Sequence, residues 1–385
     1  MKIVHLILGK ARLNRMNGVN QVAHHLAAHQ AALGHEVWIW GITPTPRQQV
    51  ESRPYQLRLF RAHRSKFVLD AKLRQAIGEL AGSDCCVHLH GSFIPEFYLL
   101  GRMLRLRGIK YVYCPHGALS PGAMARKSLR KMLYFHLIEK QLLRHAHAVH
   151  FLGQLQYDHI DRYVQLAHKV CIPNGMELSA LQYEPQPLSR PPGLLLSFCG
   201  RLDAHHKGLD LLLEGFAAYQ HSGGNARLWI IGDGPDRPYL QAWARRLGIA
   251  ESLHFWRSRY GSEKLNLLAH TDAFVHCSRY EGMPMSVLEA AGLGLPCLLS
   301  TPTNLASALA SHKAGFHIHP NRPEMVAAAL HEAEQAWESG QLAEMGKRAR
   351  QLIAREYRWE HIAQKLIWLY SQPYQHVSNF DNISV

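Results

Sequence analysis

Short apolar runs alternate with amphipathic stretches along both halves of the chain, the pattern of parallel strands covered on both faces by helices. In the first half, strand-like runs stand near residues 2–8, 36–41, 86–90, 110–114 and 148–152, and Gly34 is placed to stop a helix before the second of them. In the second half, residues 194–199, 228–231 and 273–277 read the same way, each followed by a loop. Between the halves, residues 183–193 hold Pro185, Pro187, Pro191 and Pro192, which cannot continue a helix or a central strand, so this stretch reads as a linker. Near the end, Trp359, Ile362, Leu366 and Tyr370 recur at helical spacing, and one face of that helix is expected to pack on a domain. The pattern predicts an α/β protein with domains at 1–180 and 194–355, a linker at 181–193, and a terminal helix with a tail at 356–385.

Composition agrees: 385 residues with 47% hydrophobic side chains suffice for two cores. The apolar run at residues 3–8 is too short for a signal-peptide core, and no stretch reaches the roughly 18 apolar residues of a membrane span, so a cytoplasmic protein is expected. Seven cysteines without a Cys-x-x-Cys pair give neither a disulfide framework nor a zinc spacing. His88 and His90 alternate on a strand and imitate a metal pair, but no acidic or cysteine ligand accompanies them in a recognisable pattern, and no metal is expected.

Charge changes the picture. Residues 1–172 carry 24 Lys and Arg against 9 Asp and Glu, whereas the rest carries 19 against 20. The excess concentrates in Arg102, Arg105, Arg107 and Lys110, then Arg126, Lys127, Arg130 and Lys131, then Lys140 and Arg144. With Leu129, Met132, Leu133 and Phe135 among them, this face suits an anionic bilayer, with a plain solubilising face as the alternative. No motif would set a helix or an aromatic platform against bases, so nucleic acid is not an expected partner.

The candidate chemistry lies in three segments of the second half. Glu281 and Glu289 flank a Gly282-Met283-Pro284 turn that opens a helix near Met285, whose amides would favour a phosphate. Gly200 and Gly208 bracket a loop carrying Arg201 and Lys207, a pair of cations suited to a diphosphate leaving group. A third run ends in the glycine turn Gly232-Asp233-Gly234.

In this order and spacing the segments resemble the retaining glycosyltransferases of family 4, which have the GT-B fold. The resemblance covers nearly the whole chain and extends to Asn17-Gly18 after the first strand, His116-Gly117 in the first half and Pro173-Asn174-Gly175 near the junction. Two positions depart from the family pattern: Met283-Pro284 stands where Phe-Gly is common, and Asn17 where a second glycine is common.

The resemblance implies two Rossmann-like domains facing a cleft, the nucleotide-sugar donor held mainly by the second and the acceptor by the first, with the last helix returning to the first. It implies transfer of a hexose, from a UDP-sugar in preference to GDP-mannose, to a glycolipid or polysaccharide acceptor, without bound metal or other cofactor. Arg201 and Lys207 would stabilise the departing diphosphate, helped by amides near Gly18 and Met285. Glu281 would hold the sugar hydroxyls, Glu289 the ribose, and His116 would sit near sugar and phosphate. Gly200, Gly232, Gly282 and Met283 would line the donor, with Trp256 and Arg257 beside the base. The remaining alternatives are a phosphorylase-like or epimerase activity and a non-catalytic, membrane-associated subunit of a polysaccharide-assembly complex.

Overall fold

A computed structural model describes residues 1–11, 17–47, 52–125, 129–177 and 183–373. Arg126, Lys127 and the tail beyond residue 373 therefore lie outside the described residues. The chain forms two compact units, one of Met1–Asn174 with the helix Trp359–Ser371, the other of Gly175–Arg358.

Among the described residues the first unit holds seven parallel strands: β1 (Lys2–Leu8), β2 (Glu36–Thr43), β3 (Gln56–Arg61), β4 (Cys85–His90), β5 (Lys110–Cys114), β6 (Ala148–Phe151) and β7 (Lys169–Cys171). Their order is β3-β2-β1-β4-β5-β6-β7. The sequence pattern misses β3 and β7, which are the two edge strands: β3 is only partly covered and β7 has three residues, so neither shows a continuous apolar run.

Alternation along the central strands divides their side chains between two faces. Val4, Leu6, Val87, Leu89, Tyr111, Tyr113, Val149 and Phe151 enter one apolar core. The opposite face carries His5, His88, His90, Cys114 and His150, all buried. Helix Gly18–Ala32 packs beside β1 and β2 and against the terminal helix, where His25 stacks on Trp359 with ring centroids 5.4 Å apart. In that terminal helix Trp359, Ile362, Leu366 and Leu369 are fully buried, each contributing about 1.5–3 kcal/mol of apolar burial.

The second unit holds β8 (Leu195–Cys199), β9 (Arg227–Ile231), β10 (Leu253–Trp256), β11 (Ala273–His276), β12 (Cys297–Ser300) and β13 (Gly315–Ile318), parallel among the described residues in the order β10-β9-β8-β11-β12-β13. The chain leaves β8 toward β9 on one side and later returns to place β11 on the other. This reversal makes a topological switch point between β8 and β11, and open α/β sheets bind ligands beyond the carboxyl ends of the strands at such points.

The proline-rich stretch lies within the second unit instead of joining the two, and the division falls earlier, between Asn174 and Gly175. Prolines bar it from helix and central strand but leave it free to run extended along a surface. Arg190 fastens it with two bonds to Asp272, at 3.0 and 2.6 Å, and Tyr183 and Gln186 both bond to Asn266.

Candidate functional site

Two glycines let the loops beyond β8, β9 and β11 touch backbone to backbone. At Gly208 φ is +60°, and a Cβ there would sit 1.9 Å from the Cys277 carbonyl oxygen. At Gly232 φ is +151°, and a Cβ would sit 1.9 Å from the Gly200 carbonyl oxygen. Only residues without a side chain permit either approach.

The approach of these loops brings Lys207, from the loop after β8, onto Glu281, from the loop after β11. Lys207 Nζ donates to Glu281 Oε1 at 2.5 Å, and Ser278 Oγ donates to the same oxygen at 2.8 Å. His276 Nε2, at the end of β11, stands 3.3 Å away. Glu281 has only 10% of its side chain exposed. Burial pushes its pKa up, but Lys207 and His276 more than reverse this and hold the carboxyl well below the usual carboxylate range. His276 is buried and shifted down, chiefly by desolvation, so it meets Glu281 as a neutral N–H donor near neutral pH. The loop is braced by Arg279, whose guanidinium makes bonds of 2.7 and 2.8 Å to Asp210. Asn304 donates to the Gly282 carbonyl, and Asn321 to that of Cys277.

Helix Met285–Gly292 follows directly. Pro284 precedes it without a side-chain cap, and the amides of Val287 and Leu288 both turn back to the Pro284 carbonyl. The amides of Met285 and Ser286 thus stand outside the helix's own ladder. Met283 and Met285 are buried beside them. Glu289 lies one turn further and receives Lys264 Nζ at 2.7 Å. Burial pulls the Lys264 pKa down, yet Glu289 outweighs it and the ammonium is held above its ordinary value.

The other sequence-predicted residues are placed differently. Arg201 is 61% exposed at the mouth of its loop and pairs with Asp203 at 2.7 Å. Gly200 packs near Phe198 and the Lys207 stem, and Gly232 backs onto it. Trp256 and Arg257 stand at the end of β10, the edge strand, two strands or about 10 Å from β8. Arg237 anchors that corner, donating to the carbonyls of Gly232, Phe255 and Trp256. Sequence reasoning missed Lys264, Arg237 and Asn304, because each joins the site through tertiary contact, and His276 and Ser278, which lie five and three residues before Glu281 but whose turn back onto it no local pattern marks.

In the first unit, Gly18 opens its helix, but the Asn17 side chain already accepts from the Asn20 amide at 2.9 Å and so caps that end itself. The expected help to a diphosphate from amides at Gly18 loses one donor by this capping. His116 follows β5 in the left-handed region, at φ +47°, half-buried, with Nε2 2.9 Å from His90 Nδ1. Burial and His150 hold its imidazole at about 3, hence neutral at pH 7. The structure adds what the spacing of His88 and His90 did not show: His5 joins them, and Cys114 lies with His88 and His150, each trio within 4.8 Å.

Two family models match: "Glycosyl transferase 4-like domain" over residues 17–175 and "Glycosyl transferases group 1" over residues 179–352. The chain is 34% identical over 119 residues to the lipopolysaccharide 1,6-galactosyltransferase of Salmonella typhimurium, 30% of this chain and 32% of that protein. It is 29% identical over 225 residues to the GDP-mannose:cellobiosyl-diphosphopolyprenol alpha-mannosyltransferase of Komagataeibacter xylinus, 55% of this chain and 53% of the relative. The matched stretches thus span between about a third and a little over half of these curated relatives. Among solved structures, the fold is similar to Anabaena HepE in complex with UDP and glucose, with TM-score 0.75 and 16% identity over 96% of this chain and 98% of that one. It is similar also to WaaG, a glycosyltransferase involved in lipopolysaccharide biosynthesis, with TM-score 0.72 and 17% identity over 96% and 100%. With both sheets, both family models and neighbours of this fold in agreement, the chain belongs to the group 1 glycosyltransferases of GT-B type.

Proposed function

We propose that the protein transfers a hexose, with retention of anomeric configuration, from a nucleoside-diphosphate sugar to a glycolipid or polysaccharide acceptor in surface polysaccharide synthesis. The observation that carries this reading is the Lys207–Glu281 cluster at the switch point of the second sheet, beside the amides of Met285 and Ser286. UDP-sugars are favoured as donors over GDP-mannose. The named relatives include both a galactosyltransferase and a GDP-mannose-dependent enzyme, so the base is the first thing to measure.

On this reading the bond between the anomeric carbon and the phosphate oxygen breaks with its electron pair passing to the diphosphate. The acceptor hydroxyl adds on the same face, and its proton goes to the departing oxygen. Lys207 spends one of its three N–H bonds on Glu281, which leaves two directions for phosphate oxygens. Arg201 is exposed and its partner Asp203 is two residues away, so it is available to swing onto the same charge. Preorganised cations and amides of this kind are worth about 10²- to 10³-fold in rate, and they do the work without a metal on this reading. Glu281, held ionised by Lys207, accepts from sugar hydroxyls and Glu289 from the ribose, and the resemblance gives His116 a role near the sugar.

The basic face supports peripheral attachment to an anionic bilayer. Leu129, Leu133, Leu137 and Leu106 are 86%, 57%, 62% and 73% exposed, among Arg105, Arg107, Arg130, Lys140 and Arg144. Phe135 does not belong to that face, being fully buried, and Met132 packs on the core. No helix among the described residues is long and apolar enough to cross a membrane.

A thermal-shift panel of UDP, GDP, ADP and their sugar conjugates tests the donor reading. Selective stabilisation by one nucleotide, followed by release of that nucleotide in the presence of an acceptor lipid extract, is the expected result. No shift with any of them and no release would sink it, and the anomeric coupling constant of the product decides retention.

A further inference from the structure

We propose that a cavity in the first unit, between helix Pro95–Leu106 and the helical run that ends in Lys140–Arg144, binds the phosphate of an anionic membrane lipid through Arg102 and Arg105. The proposal rests on the reading that the basic face attaches to a bilayer. It gives that face a defined chemical group to recognise in place of diffuse attraction.

The cavity has a volume of about 240 Å³ and is lined by Tyr98, Arg102 and Arg105 from one side and Leu137, Gln141 and His145 from the other. Sites for whole drug-sized ligands run to about 300–1,000 Å³, so this one suits a head group better than a nucleotide sugar. A close approach of the two helices makes its floor. A Cβ on Gly101 would lie 2.4 Å from Leu142 Cδ1, and the Tyr111 hydroxyl donates to the Leu142 carbonyl at 2.6 Å. Tyr111 stands near the start of β5, so the cavity lies toward the amino ends of the strands. Open α/β sheets bind substrates at the other end, where His116 follows β5.

The charge in the cavity lacks a counter-ion. Arg102 lies over the Tyr98 ring at 5.9 Å, and Arg105 Nη1 stands 3.3 Å from His145 Nε2. A guanidinium only donates, so the imidazole accepts there and contributes no carboxylate. Among the described residues neither Arg102 nor Arg105 has an acidic partner. In the second unit, by contrast, Arg190, Arg201, Arg237 and Arg279 each pair with an aspartate. The two carboxylates on the bordering helices are engaged elsewhere, Glu96 with Lys66 at 3.4 Å and Glu139 with Tyr113 and the Phe93 amide. Arg102 and Arg105, three apart on one helix face, repel each other until an anion joins them. Their planar forks match the oxygens of a phosphate.

The surroundings point to a lipid as the source of that phosphate. The helical run passes through one π-helical turn at Phe135–Glu139, a form often found at functional sites. Phe135 and Glu139 are buried there, while Leu137 between them lines the cavity and is 62% exposed. Leu133 stands four residues before Leu137, and Leu106 follows Arg105 directly; both are more than half exposed. A free phosphate gives these leucines nothing to bury against. A lipid brings a phosphate and an apolar layer together, which suits guanidinium groups and leucines side by side.

The test is co-sedimentation of the full-length protein with phosphatidylcholine vesicles, with and without phosphatidylglycerol, at fixed salt. Arg102→Lys with Arg105→Lys keeps both charges and removes both forks, and it is expected to weaken binding to the anionic vesicles about ten-fold. Arg130→Gln removes a charge outside the cavity and is expected to cost about five-fold, the worth of one surface cation near a bilayer. Both arginines of the cavity are exposed, and a urea melt checks that the lysine variant is folded. In a second arm, ³¹P line broadening follows glycerol 3-phosphate, the head group without its chains. Broadening is expected with the wild type and with Leu137→Ser, and not with the lysine variant; Leu137→Ser is expected to bind the vesicles less. Wild-type vesicle binding by the lysine variant, with Arg130→Gln weakened, overturns the cavity and leaves diffuse attachment standing. Arginine-dependent broadening without vesicle binding overturns the lipid as occupant. A wild-type protein indifferent to phosphatidylglycerol and to glycerol 3-phosphate overturns the membrane reading and the cavity together.

Discussion

Mild acid is the perturbation to which the first unit is most exposed. Four histidines on one face of its sheet, His5, His88, His90 and His150, are at most 2% exposed and held neutral. Burial lowers His5 and His150 to about 4 and the other two well below their ordinary value of 6.5. The sign follows from linkage. Below pH 6.5 the unfolded chain takes up a proton at each of these positions and the folded chain does not, so stability falls as pH falls. The loss begins at the unfolded pKa and continues until the folded values are reached. At one unit below 6.5 each histidine has cost about 1.4 kcal/mol, and the four together about 6 kcal/mol. A domain's whole stability is about 5–15 kcal/mol, so between about pH 7 and pH 5.5 the first unit should approach unfolding while remaining far above the range of ordinary carboxylates. Urea titrations across that interval, read by hydrogen exchange of peptides from β1 and β4, measure the slope; peptides from β8 and β9 report the second unit separately. His150→Gln should remove about one proton from the uptake. A first-unit midpoint that stays flat over this interval would refute the reasoning, because it would mean that these imidazoles are either charged when folded or already desolvated in the unfolded ensemble.

Further outcomes follow from the second unit and the basic face. Lys207→Ala should lower transfer by about 10²-fold or more, since it removes a fixed cation from the leaving group. It should also destabilise the second unit by about 3 kcal/mol by stranding the Glu281 charge, whereas Lys207→Ala with Glu281→Gln should recover most of the stability and none of the turnover; steady-state kinetics and urea melts together check this. Gly208→Ala and Gly232→Ala each place a Cβ 1.9 Å from a carbonyl oxygen, so both should destabilise by about 3 kcal/mol or fail to fold, and an unchanged melting temperature would contradict the packing of the three loops. Leu129→Ser with Leu133→Ser should weaken binding to vesicles containing phosphatidylglycerol, and raised salt should weaken it further; equal co-sedimentation of variant and wild type would leave these leucines without that role.

What was legible in the sequence was what local pattern encodes. Period-two and continuous apolar runs marked the central strands of the first unit and β8, β9 and β11 of the second, since a buried strand must be apolar on its core face; β12, buried but only four residues long, went unread. Edge strands β3 and β7 escaped because exposure relaxes that demand. Gly200, Lys207, Gly282 and Glu281 stood out because a loop that cradles a ligand needs glycine and charge at short spacing. Their meeting did not stand out: residues 207 and 281 are joined only by the crossing of the chain from one side of β8 to the other and by two glycines that let carbonyls approach. The proline stretch misled for a related reason, since prolines report what the backbone cannot do and Arg190 with Asp272 decides where it lies.

By itself, then, the chain determined two α/β sheets, most of their central strands and the loops that carry glycine and charge, because helix and strand periodicity and the backbone freedom of glycine act over a few residues. Tertiary structure alone decided that Lys207 grips Glu281, that Lys264 grips Glu289, and that five buried or half-buried histidines form two hydrogen-bonded groups, His5, His90 and His116 with Gln30, and His88 and His150 with Tyr370. Those contacts depend on strand order and register, which bring residues up to 282 positions apart within hydrogen-bonding distance, and hydrogen bonding and desolvation act on distance in space and not along the chain.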